Sequence, residues 1–97
     1  MMFITFWKLA NDVKSSKVAE VAKKLVEEGE YPVEGIKMHK WLMCPGGKGI
    51  LISEANSIEA VFKSWLRWIE KYPSIFEYHE VHPAMEATKV IDLATSM

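Results

Sequence analysis

The chain has 97 residues, of which 49% are hydrophobic and 26% are charged, a size and balance typical of one soluble globular domain. This composition excludes a disordered tail, a collagen-like chain and a low-complexity linker. Twelve Lys and Arg residues against thirteen Asp and Glu residues give a formal net charge of −1. Proteins that bind nucleic acid usually carry a basic surplus, so we expect no nucleic-acid partner.

The N-terminal third predicts a strand followed by a helix. Residues 2–7 are nearly all apolar, which is typical of a strand that is covered on both faces. A helix is predicted over residues 15–28, because one apolar stripe recurs there with a period of 3.6 residues. Ser15 or Ser16 can cap the start of this helix. Gly29 can end it in the left-handed conformation.

Two further strands, over residues 35–44 and 50–54, are predicted to form a hairpin. The connecting segment 45–49 contains Pro and Gly residues and has the length of an ordinary hairpin loop. We expect Cys44 to pair with Gly49. Because side chains alternate strictly along a strand, this register would place six side chains on one face: His39, Trp41, Met43, Ile50, Ile52 and Glu54.

The remaining segments predict a second helix, a fourth strand and a short C-terminal helix. Asn56 is a good cap for the second helix, and Tyr72-Pro73 ends it. Its apolar stripe consists of Ile58, Val61, Phe62, Trp65, Leu66 and Ile69, with Trp68 at the edge. The fourth strand is predicted over residues 75–82. A last helix is expected to start near Pro83 and to run to about Thr95.

The order strand, helix, strand, strand, helix, strand is that of the ferredoxin-like α+β fold. In this βαββαβ arrangement, a four-stranded antiparallel sheet carries two helices on one face. Since no linker interrupts the chain, we expect residues 1–97 to form a single domain.

A sheet covered on one face only leads to the prediction of a homodimer. The strands keep bulky apolar side chains on both faces, whereas a solvated face would be polar at alternate positions. The chain also has four Trp, four Phe, three Tyr and six Met residues, more large apolar surface than a small core hides. We therefore expect two copies to pair through their open sheet faces about a two-fold axis.

The cellular location is predicted to be the cytoplasm. The single cysteine, Cys44, cannot form an internal disulfide, which favours a reducing compartment. The apolar N-terminus lacks the basic region and the cleavage site of a signal peptide. No apolar run approaches the ~18 residues needed to cross a bilayer, so no membrane partner is expected.

Several segments resemble the small family known as DUF3303, within the dimeric α/β-barrel group. These segments are residues 2–7, 33–37, 40–41, 49–55 and 65–68. The resemblance covers most of residues 1–86. Leu42 departs from the pattern, because family members tend to have His there. The resemblance implies the ferredoxin-like fold and a dimer. It leaves the activity open, because the family has no assigned reaction.

His39 and Glu54 are the candidate catalytic residues. An imidazole and a carboxylate beside Trp41 form a plausible acid–base site, since burial raises the pKa of a Glu toward the working pH. We expect these three residues, with Trp7 and His79, to bind the ligand. The alternative is that Trp41 belongs to the core, that His39 is paired or exposed, and that Glu54 favours the dipole of the second helix.

No metal site is predicted. His79 and His82 are three residues apart on a strand and therefore point to opposite faces. No CxxC or HxxxH motif is present. The resemblance permits haem-dependent enzymes, but a haem ligand would be expected on the second helix, which has no His between Ser57 and Tyr72. We expect no cofactor.

Three hypotheses of function remain. The first is a homodimer that binds a small, mostly apolar molecule in a cavity of the barrel or between sheet and helices. The second, permitted by the resemblance, is a cofactor-independent monooxygenase or an isomerase-like enzyme. The third is a regulatory or interaction module without catalysis, which would act through a partner.

Overall fold

A computed structural model describes all residues 1–97 and confirms the ferredoxin-like α+β fold with a C-terminal helix. Its elements are β1 (Met2–Leu9), α1 (Ser15–Glu27), β2 (Ile36–Cys44), β3 (Lys48–Ala55), α2 (Ile58–Lys71), β4 (Phe76–Ala84) and α3 (Ala87–Thr95). The four strands form one antiparallel sheet in the order β2-β3-β1-β4. None of the helices is long and apolar enough to span a membrane.

Helix α1 begins at the predicted residue, but its cap differs from the prediction. Ser15 and Ser16 are its first two residues, and Lys14 occupies the cap position without a side-chain cap hydrogen bond. Gly29 follows the helix with φ 70°, as its role in ending the helix requires. Val21 and Leu25 are the buried residues of the helix. They form the core together with Tyr31, Trp68 and Ile75.

The predicted register of the hairpin is wrong by one residue. Cys44 pairs with Lys48, and Met43 rather than Cys44 pairs with Gly49. The turn is tighter than predicted, because Gly46 and Gly47 adopt φ of 95° and 76° and β3 starts directly after them.

A bulge in β2 also separates residues that the sequence placed together. The ladder is interrupted between Met38 and Lys40, at His39, and such an insertion changes the face on which the following side chains lie. Trp41 therefore lies on the helix-covered face of the sheet, opposite Leu51. His39 lies against Glu54 instead.

Helix α2 is rotated relative to its predicted apolar stripe. Ser57, not Asn56, caps it by accepting a hydrogen bond from the backbone N–H of Ala60 at 3.2 Å. Trp68, predicted at the edge of the stripe, is buried in the core. Three residues of the predicted stripe are largely exposed: Ile58, Phe62 and Leu66. The stripe is broader than the surface that the sheet and α1 cover, so its outer half remains in solvent.

Candidate functional site

A cavity of about 440 Å³ lies between the sheet and the two long helices. All four tryptophans of the chain line it. Trp7 reaches it from β1, Trp41 from β2, and Trp65 and Trp68 from α2. No Asp, Glu, Lys or Arg contributes to the lining. The cavity is thus an aromatic chamber without formal charge in its wall, a composition typical of small-molecule sites.

One wall of the cavity is a packed cluster of three aromatic rings. The ring centroids of Tyr31 and Trp41 are 5.3 Å apart, those of Tyr31 and Trp68 are 5.3 Å apart, and those of Trp41 and Trp68 are 6.2 Å apart. All three pairs are tilted or edge-on, the arrangement that aromatic quadrupoles favour. Burial raises the pKa of Tyr31, and hydrogen bonding with Ser64 and Trp68 opposes that shift. Tyr31 therefore stays a neutral phenol at physiological pH.

His79 is the other titratable residue in the lining. It pairs with Trp7 across β1 and β4, so both side chains lie on the helix-covered face. Its ring centroid is 4.9 Å from that of Phe76 and 6.4 Å from that of Trp65. Burial lowers the pKa of His79 below its ordinary value of 6.5, because desolvation disfavours the imidazolium. A neutral imidazole therefore faces the cavity at pH 7.

The sheet contributes two buried hydroxyl residues to the cavity floor. Thr5 on β1 is 6% exposed and Ser53 on β3 is 3% exposed, and both line the cavity. Neither hydroxyl is among the side-chain hydrogen bonds that the chain forms. Their positions could be found from the sequence by the alternation of side chains along a strand. Thr5 is two residues from Phe3 and Trp7 on β1, and Ser53 is two residues from Leu51 on β3, so all five lie on the buried face.

The five predicted ligand-binding residues are divided by the sheet. Trp7, Trp41 and His79 line the cavity. His39 and Glu54 lie together on the opposite face, with His39 Nε2 3.4 Å from Glu54 Oε1 and both side chains partly in solvent. The predicted acid–base pair thus exists as a pair, but the structure separates it from Trp41.

Sequence reasoning assigned no ligand-binding role to several lining residues. The spacing of Trp65 and Trp68 on α2 predicts helix packing as readily as a place in a cavity wall. Tyr31 lies within the segment that connects α1 to β2, and Phe76 is the first residue of β4. Their place in the lining depends on tertiary packing and has no local sequence signal.

The open face of the sheet is the second candidate functional surface. Its centre is apolar and partly or largely exposed, and it is formed by Ile4, Phe6, Leu42, Ile50, Ile52 and Tyr78. Charged and polar side chains surround this centre: Lys37, His39, Glu54, Glu80 and His82. An apolar centre with a polar rim is the usual anatomy of a protein–protein interface.

The residues with metal-binding side chains are dispersed. His79 faces the cavity, whereas His82 pairs with Ile4 on the open face, so the two point to opposite sides as the spacing predicted. No group of three or more His, Cys, Asp or Glu side chains comes together. Cys44 is exposed as a free thiol.

Solved structures with a similar fold include three small proteins. Protein Atu4242 from Agrobacterium tumefaciens has 14% identity and a TM-score of 0.55, over 90% of this chain and 96% of that chain. Rv0793 from Mycobacterium tuberculosis has 14% identity and a TM-score of 0.51, over 89% and 96%. Protein YJCS has 20% identity and a TM-score of 0.50, over 88% and 100%. These similarities show a shared fold.

The curated proteins contain no match to this chain. The sequence profile of one family, described as "Domain of unknown function (DUF3303)", matches residues 1–97. This match extends over the strands, the helices and the four cavity tryptophans. The chain therefore belongs to the DUF3303 family.

Proposed function

We propose that this protein is a homodimer that binds a small, mostly apolar molecule in the cavity between its sheet and helices. The observation that carries the proposal is that all four tryptophans surround one cavity whose lining has no Asp, Glu, Lys or Arg. A volume of about 440 Å³ falls within the range of ~300–1,000 Å³ that is usual for ligand sites. A ligand that binds the folded chain and not the unfolded chain would also stabilise the fold.

The cavity tryptophans provide a direct test of binding. We would titrate the protein with the neutral fluorescent probe N-phenylnaphthylamine and follow both tryptophan quenching and probe emission. Saturable binding with one probe per chain is expected. The absence of saturable binding up to the solubility limit of the probe would contradict the proposal.

Two variants on α1 locate the bound probe. Ala22 lines the cavity, whereas Lys23 beside it is exposed. Ala22→Phe fills part of the cavity and is expected to weaken probe binding at least tenfold. Lys23→Phe adds the same ring outside the cavity and should leave the affinity unchanged. Circular dichroism checks that both variants fold, and equal affinities in the two would place the probe elsewhere.

The homodimer is supported by the open face of the sheet. Leu42 is 51% exposed there, and Phe6 and Tyr78 are also exposed. A stable pair of such faces about a two-fold axis would need to bury about the usual ~800 Å² per subunit. The polar rim would then surround an apolar contact. In this arrangement the two ligand cavities lie on the outer sides of the paired sheets.

Sedimentation velocity at micromolar concentration tests the dimer. Leu42→Glu places a carboxylate among the apolar side chains of the open face, on the edge strand β2, and is expected to yield monomers, because a buried unpaired charge is costly. The control is Phe62→Glu, since Phe62 is 58% exposed on α2, away from the proposed contact. A wild-type monomer, or a dimer that persists in the Leu42 variant, would contradict the proposal.

A second candidate function is an enzyme in which His79 moves a proton on the bound molecule. The specific observation is a neutral imidazole in an apolar cavity, the state that a general base requires. A single base of this kind suits an isomerase-like proton transfer. The test is deuterium exchange into the methyl group of acetophenone, followed by NMR. Exchange that the wild type catalyses and His79→Gln does not would support this candidate. Exchange in the wild type at the same rate as without protein would exclude it.

A further inference from the structure

The cavity floor carries two hydroxyl groups that form no hydrogen bond with the aromatic walls. Thr5 and Ser53 are the polar members of the helix-facing rows of β1 and β3, and both residues are more than nine-tenths buried. Phe3 pairs with Ser53, and Thr5 pairs with Leu51, so Thr5 and Ser53 are diagonal neighbours on one face. Neither hydroxyl makes a hydrogen bond within the chain.

Two adjacent hydroxyls that are open to the cavity indicate a ligand group. Neither oxygen is among the enclosed polar atoms that lack a hydrogen bond, so both are accessible to a molecule in the cavity. A hydroxyl that faces a cavity is hydrogen-bonded by water or by a ligand, because an unmade hydrogen bond costs more than a made one contributes. Both strands are central in the sheet, where an apolar side chain would need no such partner. A hydroxyl or carbonyl oxygen of a bound molecule would satisfy both residues at once.

The absence of charged residues from the lining favours a ligand without formal charge. With no Asp, Glu, Lys or Arg in the wall, a charged ligand would lose its hydration without gaining a counter-ion. The indole and phenol rings on the walls favour a flat aromatic body, because tilted and offset ring contacts are stabilising.

We propose that the cavity selects neutral, flat aromatic molecules that carry a hydroxyl or carbonyl group. Thr5 and Ser53 form hydrogen bonds with that group. This inference rests on the proposed function. Selectivity then has two sources. The aromatic walls bind the ring system, and the hydroxyl pair orients it and discriminates against molecules that lack the polar group.

Three probes of nearly equal size test this selectivity: naphthalene, naphthol and naphthoate. Each is measured by its displacement of bound N-phenylnaphthylamine. Naphthol is expected to bind about three- to tenfold more tightly than naphthalene, the effect of one net neutral hydrogen bond. Naphthoate, which is charged at pH 7, should bind most weakly. Naphthoate binding as tightly as naphthol would overturn the proposal.

Substitutions at the floor assign the preference to the two hydroxyls. Thr5→Val and Ser53→Ala remove the hydroxyls with little change of shape, and each should bring the naphthol-to-naphthalene affinity ratio close to one while naphthalene still binds. The control is Ser16→Ala, because Ser16 is exposed at the start of α1 and does not line the cavity. Its ratio should equal that of the wild type.

The outcomes separate the two proposals. If naphthalene and naphthol both bind but the ratio is unchanged in Thr5→Val and Ser53→Ala, the role of the hydroxyls is wrong and the cavity function stands. If N-phenylnaphthylamine itself does not bind, the proposed function fails and this inference fails with it.

Discussion

The indole of Trp7 lies against the backbone of Gly49, its partner on the neighbouring strand. A Cβ atom at position 49 would overlap the Cζ2, Cε2 and Cη2 atoms of that indole. Gly49 is not among the glycines with positive φ, so glycine is required here for space and not for backbone conformation. The missing side chain of one strand thus makes room for a cavity wall on the next.

Gly49→Ala is expected to destabilise the protein by about 1–3 kcal/mol, the usual cost of overpacking a core. It should also shift the tryptophan emission, because Trp7 must move. Replacement of Trp7 by Phe removes the overlapping atoms, so the double variant Trp7→Phe/Gly49→Ala should be more stable than the sum of the single effects predicts. Urea unfolding measures all four proteins. Additive effects would show that the ring and the glycine are not coupled.

The elements of this fold were predictable because their signals are local. The period of α1 and the αL position of Gly29 depend only on neighbouring residues. The placement of His39 and Trp41 was not predictable, because it depends on a one-residue bulge and a tight turn. A single inserted residue exchanges the faces of all later side chains. For that reason the sequence grouped Trp41 with Glu54, whereas the structure groups it with Trp68.

His79 predicts an acid-dependent loss of stability. Burial lowers its pKa below the ordinary value of 6.5, so between the two pKa values the unfolded chain binds a proton that the folded chain does not. The contribution of His79 to stability is therefore complete above pH 6.5 and declines as the pH falls below it. The free energy of unfolding, measured by urea denaturation between pH 5 and 8 with about half-unit steps, should show this slope.

The matched controls for this pH dependence are two histidine variants. His79→Gln removes the buried titration and should flatten the slope below pH 6.5. His82→Gln changes an exposed histidine on the opposite face of the sheet and should retain the slope. Equal slopes in wild type and His79→Gln would assign the acid sensitivity to other groups.

Core and surface residues of similar hydrophobicity should differ sharply in their contributions to stability. Leu25 is fully buried at 0% exposure, whereas Phe62 is 58% exposed although its position in the stripe predicted burial. Leu25→Ala is expected to cost ~2–5 kcal/mol through cavity formation. Phe62→Ala should cost less than about 0.5 kcal/mol, as is usual at exposed sites. A large loss in the Phe62 variant would mean that α2 carries a covered face in solution.

Helix α3 should be the least protected helix of the chain. None of its residues is buried, whereas α1 and α2 each contribute buried residues to the sheet-facing side. Local opening free energy follows burial and packing, so amide hydrogens of residues 87–95 should exchange far faster than those of α2. Native-state hydrogen exchange read by NMR measures this difference. Protection of α3 equal to that of α2 would reveal a packing partner for its apolar residues.

The contact between His39 and Glu54 is expected to contribute little to stability and nothing to binding in the cavity. Its atoms are 3.4 Å apart, but the two side chains are 34% and 49% exposed, and exposed pairs contribute only ~0–1 kcal/mol. Glu54→Gln should therefore change the urea midpoint only slightly.

Because the sheet separates Glu54 from Trp7 and His79, the same variant should bind N-phenylnaphthylamine with wild-type affinity. Thr5→Leu, which fills the floor from the other face, is the contrasting variant and should weaken binding. If Glu54→Gln weakened binding as much as Thr5→Leu, the ligand would occupy the open face, where the predicted acid–base pair lies.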